Sequence, residues 1–355
     1  MTAPLIARPA LLDADPLAPT GRPVRWGVVA TGTIAAKVTA DLVLLPDVVL
    51  QAVSSRDAGR ARAFAERFGA ASWYADEEGR TGIEALVADP SVDVVYVGTP
   101  HAQHAAVTRA ALLAGKHVLC EKPLTVNARE AEDVIALARE QGLFLMEAVW
   151  TRFQPAMQRA FEIAASGEIG EVRWVAAETG FPAPADPTAR IWARADGGGA
   201  LLDLAVYPLL WAWGTLGRPD SVTAVATLTE QGVDAQNAIT LQYASGAQAQ
   251  LTTSLVARSP HTALICGSDG WIRSDGPDTV WRPTRLDVQA GDAAVRTETF
   301  PVIGEGYPFE LREVTRCVQQ GLTESPTMPL EDSLATVRLF DGIRGQLGVV
   351  YPNDH

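Results

Sequence analysis

The first residues able to do chemistry lie early in the chain. An apolar run of β type, 26–29, passes into Ala30-Thr31-Gly32-Thr33-Ile34-Ala35 and then into a helical pattern. This is the G-x-G-x-x-A fingerprint of a dinucleotide-binding turn, with its first glycine replaced by Ala30. Gly32 stands where the backbone must approach a pyrophosphate, and the amides of Thr33 and Ile34 open a helix N-terminus that attracts anions. Without a ligand the same residues would be a plain strand–helix turn. The next strand sharpens the choice. An enzyme using NAD usually carries an acid about 20 residues after the glycines, to bind the ribose hydroxyls. Here the strand ends Val53-Ser54-Ser55-Arg56, with no acid at its tip, and Arg60 follows one helical turn later. Two guanidiniums at i, i+4 beside the Ser55 hydroxyl suit a phosphate dianion. The alternative is a pair of solvated arginines on a helix face. The pattern predicts NADP in preference to NAD.

Two further segments sit at strand ends, Thr99-Pro100-His101-Ala102-Gln103-His104 and Glu121-Lys122-Pro123. In an open α/β sheet such tips border the ligand crevice. His101 and His104 do not make a metal site, because no Cys or carboxylate stands near enough in sequence to complete a zinc set. Thr99, Pro100, Glu121 and Lys122 at these tips are read as cofactor-edge residues, and His101 and His104 as lying at the cofactor or substrate edge, His104 by the motif match described next. Much later comes Gly197-Gly198-Gly199-Ala200-Leu201-Leu202-Asp203-Leu204-Ala205-Val206-Tyr207-Pro208. On a single helix Asp203 would share a face with Tyr207, one turn on.

With Thr-Pro-x-x-x-His, Glu-Lys-Pro and Asp-x-x-x-Tyr in this order, the chain resembles the Gfo/Idh/MocA oxidoreductases. Within them it resembles the branch of dimeric dihydrodiol dehydrogenases and NADP-dependent xylose dehydrogenases. Residues 146–153, Met-Glu-Ala-Val-Trp-Thr-Arg-Phe, and the ending Gly348-Val349-Val350-Tyr351-Pro352 carry the same likeness. It spans everything from about Val24 onward. The resemblance implies that Lys122 and Tyr207 are the catalytic pair. Chemically this is reasonable: oxidising a secondary alcohol needs a base for the hydroxyl proton while the hydride leaves carbon. A tyrosine, with a reference pKa of about 10, serves at neutral pH only where a cation stabilises its phenolate. Lys122 would be that cation, and Asp203 would orient it or a substrate hydroxyl. Trp150, Arg152, Phe153 and Trp192 are candidates for the substrate pocket, Trp150 because its counterpart in that branch belongs to an apolar wall. For each aromatic the competing reading is ordinary core packing.

The elements that must position these groups follow from the apolar pattern. Short β-rich runs at 26–29, 48–53, 94–97, 118–120 and 144–146 alternate with helical stretches at 58–68, 105–114 and 128–140. Asn127 and Glu130 have capping-box spacing, and Gly115 falls where a helix would be capped. This alternation predicts an α/β Rossmann domain with a mostly parallel sheet over 23–146. Beyond it lie longer alternating strands at 172–179, 221–228, 238–243, 248–256 and 285–290, with turn signals at Ala244-Ser245-Gly246, 267–270 and Gly291-Asp292. Helices are expected at 200–214, 309–320 and 331–347. Residues 147–355 thus form an α+β catalytic domain on a largely antiparallel open sheet. In 221–228 neither face is strongly polar, which predicts that the sheet packs against its copy in a homodimer.

Composition fits a chain of about two domains. Of its 355 residues 47% are hydrophobic and 20% charged. The net charge of −13 argues against nucleic acid or an anionic membrane as a general partner. Cys120, Cys266 and Cys317 are widely spaced, which fits a reducing cytoplasm better than a disulfide framework. Residues 1–22, rich in proline, lack the basic start and apolar core of a secretory signal and read as a flexible or surface-draped tail. No apolar run approaches the roughly 18 residues of a membrane span. The function expected is hydride transfer between a vicinal diol, such as a trans-dihydrodiol, and NADP. The alternatives are an NADP-dependent aldose 1-dehydrogenase and an NADP-binding sensor without turnover, although a sensor has no need for both Lys122 and Tyr207.

Overall fold

A computed structural model describes residues 5–276 and 279–355. The chain runs β1 (Val24–Val29), α1 (Thr33–Leu42), β2 (Val48–Ser54), α2 (Ala58–Phe68), β3 (Ser72–Tyr74), α3 (Gly82–Val87), β4 (Val94–Val97), α4 (His104–Leu113), β5 (His117–Glu121), α5 (Ala128–Gln141) and β6 (Leu145–Ala148). It continues through α6 (Pro155–Ser166), β7 (Val172–Gly180), α7 (Ala200–Leu204), α8 (Val206–Leu216), β8 (Ser221–Leu228), β9 (Asp234–Gln242) and β10 (Gln248–Ser254). Four more strands follow, β11 (Ala263–Gly267), β12 (Gly270–Ser274), β13 (Arg285–Ala290) and β14 (Arg296–Thr299), then α9 (Pro308–Gln319) and α10 (Leu330–Leu347). Two compact units result, neither continuous in sequence. One holds residues 9–150 and 303–337; the other holds 151–302, 338–355 and the short stretch before residue 9.

In the unit containing β1–β6 every strand pair is parallel, in the order β3-β2-β1-β4-β5-β6. The order reverses between β1 and β4, the switch point at which such sheets hold ligands beyond their carboxyl ends. Val29, Val95, Val97 and Cys120 of the sheet pack with Ala111, Leu112, Val134 and Leu334, all buried. Strands covered on both faces explain the unbroken apolar runs 26–29 of β1 and 94–97 of β4. Asn127 caps α5, its side chain accepting from Glu130 N at 3.0 Å, and Gly142 ends that helix in the left-handed conformation. Of the proline-rich segment, residues 1–4 lie outside the described residues, and residues 9–22 are tied down in the same unit. Arg312 of α9, 2% exposed at its side chain, pairs with Asp47 at 2.7 Å and donates to Pro16 O at 2.9 Å. Burial alone would raise the Asp47 carboxyl, but the Thr20 amide, Gln319 and Arg312 together hold it below the ordinary carboxylate range.

The other unit carries eight strands, β14-β13-β12-β11-β7-β10-β9-β8. Only β7 and β10 run parallel; the remaining pairs are antiparallel. Helices α6, α7 and α8 cover one face. Gly214 of α8 lies so close to Phe161 of α6 that a Cβ there would stand 2.2 Å from the ring, and so only glycine allows that crossing. The single helix predicted over 200–214 is instead two, broken at Ala205, with a 44° bend between residues 194–204 and 206–216. Among the described residues no single helix is long and apolar enough to cross a membrane.

Candidate active site

At the end of β1 the backbone turns through Ala30, whose φ of 80° is left-handed. L-residues rarely adopt it, and this explains why the fingerprint normally has glycine here. Ala30 N donates to Ser54 O at 3.0 Å, and Thr31 Oγ1 donates to Ser55 Oγ at 3.2 Å, so the tips of β1 and β2 are joined. Gly32 is the N-cap of α1 and supplies no side-chain cap, and a Cβ built on it meets nothing within 4 Å. An uncapped ten-residue helix opening onto clear space above a glycine is the cradle a pyrophosphate needs. Thr33 and Ile34 supply the first amides. The residues present fit a nicotinamide dinucleotide.

The tip of β2 differs in detail from its expected form. Helix α2 begins at Ala58, so Arg56 precedes it and is not the i−4 neighbour of Arg60 on one helical face. Both arginines are exposed. Asp57, the acid that follows the tip, caps α2 by accepting from Arg60 N at 2.7 Å, and its carboxylate is thereby committed to the helix.

The tips of β4 and β5 are joined by His104, which is fully buried. Its Nδ1 lies 2.8 Å from Pro123 O and its Nε2 3.0 Å from Thr99 O. Sequence placed His104 at the cofactor edge; in the structure both ring nitrogens meet backbone carbonyls, and the ring holds two loops together. His101 is buried too, its ring 5.5 Å from that of His104. Thr99 Oγ1 is buried and has no protein hydrogen-bond partner among the described residues, which marks this loop, with Pro100, as a place where a polar ligand group would be bonded. Glu121 Oε1 accepts from the Tyr96 phenol at 2.8 Å, and Oε2 accepts from Lys122 N at 3.2 Å. Lys122 itself is 9% exposed and precedes a cis proline. Behind Glu121 lies Glu310 of α9, fully buried; burial first, then the carboxylates of Glu121 and Asp41, push it well above the ordinary carboxylate range. Burial also raises the Cys120 thiol, which rules against a thiolate nucleophile there. Trp150 packs its ring on Tyr307, centroids 4.7 Å apart.

In the second unit Asp203 ends the first turn of α7 and pairs with Arg190 at 3.3 Å. Tyr207, half-buried in the first turn of α8, is 5.8 Å by ring centroid from Trp281. Because Ala205 breaks the helix, Asp203 and Tyr207 do not share the face of one straight helix. Trp281 was not singled out from sequence. It stands in a loop of turn residues with no periodic neighbours to flag it, and His261, with φ of 60°, packs edge-on against it, ring centroids 4.5 Å apart. Thr179 Oγ1 and His261 Nδ1 are 3.0 Å apart, which fixes the imidazole. Of the remaining pocket candidates, Phe153 is fully buried, Arg152 is 3% exposed, and the Trp192 indole donates to Pro184 O at 2.7 Å. Core packing describes Phe153 better than a pocket wall does.

Known proteins resemble this chain throughout. A model of the GFO/IDH/MocA oxidoreductase family, with its NAD-binding Rossmann fold, matches residues 24–149, and one of a GFO/IDH/MocA C-terminal domain matches 157–273. Trans-1,2-dihydrobenzene-1,2-diol dehydrogenase of Mus musculus is 37% identical over 345 residues, covering 93% of this chain and 99% of its own. A 3-ketoreductase from Actinomadura kijaniata, solved in complex with NADP and TDP-benzene, superposes with a TM-score of 0.79 at 30% identity, over 92% of this chain and 98% of that one. An aldose-aldose oxidoreductase from Caulobacter crescentus, complexed with glycerol, gives a TM-score of 0.81 at 26% identity, over 92% and 97%.

Proposed function

The chain belongs to the GFO/IDH/MocA oxidoreductase family, and on that premise we propose that it oxidises one carbinol of a vicinal diol, a cyclic trans-dihydrodiol in the first instance, with NADP. The observation that carries the reading is the uncapped start of α1 beneath Gly32, at the switch point of the parallel sheet, in a chain that also keeps Lys122 and Tyr207. A bound nicotinamide supplies the acceptor for the hydride. Thr31, Gly32, Thr33 and Ile34 hold the pyrophosphate, Ser55, Arg56 and Arg60 bind the 2′-phosphate, and Thr99, Pro100 and Glu121 border the nicotinamide half. Tyr207 takes the hydroxyl proton as phenolate, the ammonium of Lys122 favours that phenolate, and Asp203 orients the reacting hydroxyl. As proton and hydride leave, the carbinol becomes a carbonyl. Trp281, beside Tyr207, offers an aromatic face to an apolar ring. The likeness to an aldose oxidoreductase favours a second substrate class, aldoses oxidised at the anomeric carbon. A copy of the chain packs on the open face of the eight-stranded sheet.

The test is NADP reduction by the purified chain over a panel of cyclic diols and aldoses. Turnover on diols is expected. Tight NADP binding without turnover on any member would leave the sensor reading in its place.

A further inference from the structure

The glycine run that precedes Asp203 has no side chain with which to cap α7. Its N-cap is Gly199, at φ 113°. The missing acceptor comes from elsewhere in the same unit. Asp234, the first residue of β9 and fully buried, accepts through Oδ2 from Leu201 N at 2.8 Å and from Asn237 Nδ2 at 2.8 Å. A Cβ on Gly199 would stand 2.5 Å from Asp234 Oδ1, so the bare glycine is what lets the carboxylate reach the helix. A second tether holds the residue before it. Tyr351, in the C-terminal segment, donates its phenol to Gly198 O at 2.6 Å.

The consequence passes along the backbone. Leu201 O accepts from Ala205 N at 3.1 Å, and Ala205 O accepts from Leu209 N at 3.0 Å, so the ordered start of α7 leads directly into α8. Asp203 lies within the first of these turns and Tyr207 within the second. We infer that Asp234 is a positioning residue, a cap supplied by a neighbouring strand that fixes the helix pair carrying Asp203 and Tyr207, with Tyr351 as its companion tether. The inference rests on the roles proposed above for those two residues. A buried carboxylate is a costly cap, since burial pushes Asp234 up to about 6. A local serine or asparagine at the cap would be the ordinary solution. The expensive one has a use where the cap position itself must stay glycine.

Two variants of the full chain separate the possibilities. D234A removes the acceptor, whereas D234N keeps one for Leu201 N. Its remaining oxygen can still accept from Leu201 N and Asn237 Nδ2, and its new amide takes the place of Oδ1, which accepts no hydrogen bond among the described residues. The readouts are kcat on the best diol, NADP affinity by fluorescence titration, and hydrogen–deuterium exchange of residues 199–209. D234A is expected to lose at least about tenfold in kcat, the scale of a small misplacement of catalytic groups. Its NADP affinity should be unchanged and its exchange faster, and D234N should recover most of both. Should D234A fail to fold, Y351F, which removes one hydroxyl and no other volume, is expected to show the same directions to a smaller extent. A folded D234A, or failing that Y351F, with wild-type kcat and wild-type exchange overturns the inference. Wild-type protein that turns over no substrate sinks the proposed function instead, and the exchange comparison then still decides the tether.

Discussion

Ala30 illustrates how a single residue departs from its pattern at a definite cost. A left-handed alanine is strained by roughly 1–2 kcal/mol. Ala30→Gly should therefore raise stability by about 1 kcal/mol after the entropy of the added glycine is counted, read as a higher melting temperature. An unchanged or lower melting temperature would show that the strain is not there. Sequence exposed this position as an exception to a motif, because the motif states what φ is needed. The helical stretch read at 58–68 already left Arg56 before α2, so the i, i+4 pairing of Arg56 with Arg60 did not follow from it, and Asp57 as cap fixes that start. The 2′-phosphate assignment consequently rests on two exposed arginines and is tested by Arg56→Ala. Losing one charge-assisted bond costs about 1.5–3 kcal/mol, roughly ten- to a hundredfold in affinity. That loss should fall on NADP and spare NAD; equal weakening of both would assign Arg56 a structural role. For the proposed base and its cation, Lys122→Met and Tyr207→Phe should each lower turnover by at least about a hundredfold. The double variant should be little worse than either, because the two act as a unit. Steady-state rates that multiply in the double variant would mean separate functions.

Elements were legible wherever period and capping agreed. Strands β1, β2, β4, β5 and β6 followed from apolar runs, helices α2 and α5 from their period, and α5 also from its cap residues. Helix α3 was overlooked although Thr81-Gly82-Ile83-Glu84 forms a reciprocal capping box, because six residues are too few for the helical period to show. Strand β3, three residues long at the sheet edge, has no pattern to find. The break between α7 and α8 had a signal in Tyr207-Pro208: proline at the third position of α8, in its first turn where amides lack intrahelical partners, suits a helix start and not a helix interior. The cap on α7 has a pH signature of its own. The carboxyl of Asp234 titrates at about 6 in the fold against 3.8 as the ordinary value, so the folded state binds its proton more tightly than the unfolded chain does. Its contribution is fully present below pH 3.8 and is lost as pH rises through 6. The loss is on the order of 3 kcal/mol. Asp234→Asn, with no charge to bury, should accordingly melt higher than wild type at neutral pH and lose that advantage toward pH 4. A constant difference in melting temperature across this range would place the titration elsewhere.

On the scale of the whole chain, the sequence contained the two architectures but not the path between them. That residues 303–337 belong to the same compact unit as 9–150 has no local signal, because the partners of α9 are Asp41, Asp47 and Pro16, some 260 or more positions away. Likewise the pairing of Asp234 with Leu201 crosses 33 positions and two kinds of element. The outward face of the eight-stranded sheet leaves Val225 66% and Trp174 42% exposed. Apolar side chains of that size, open on a sheet face, are the basis for the proposed homodimer. Light scattering at micromolar concentration should give twice the chain mass, and a monomer would count against the interface. What stands or falls with the whole account is hydride transfer itself. The purified chain, mixed with NADP and a cyclic trans-diol carrying deuterium at both carbinol carbons, should yield reduced cofactor bearing one deuterium by mass spectrometry, in step with loss of diol. NADP that binds yet returns unreduced from that diol, or reduced cofactor without deuterium, would contradict it.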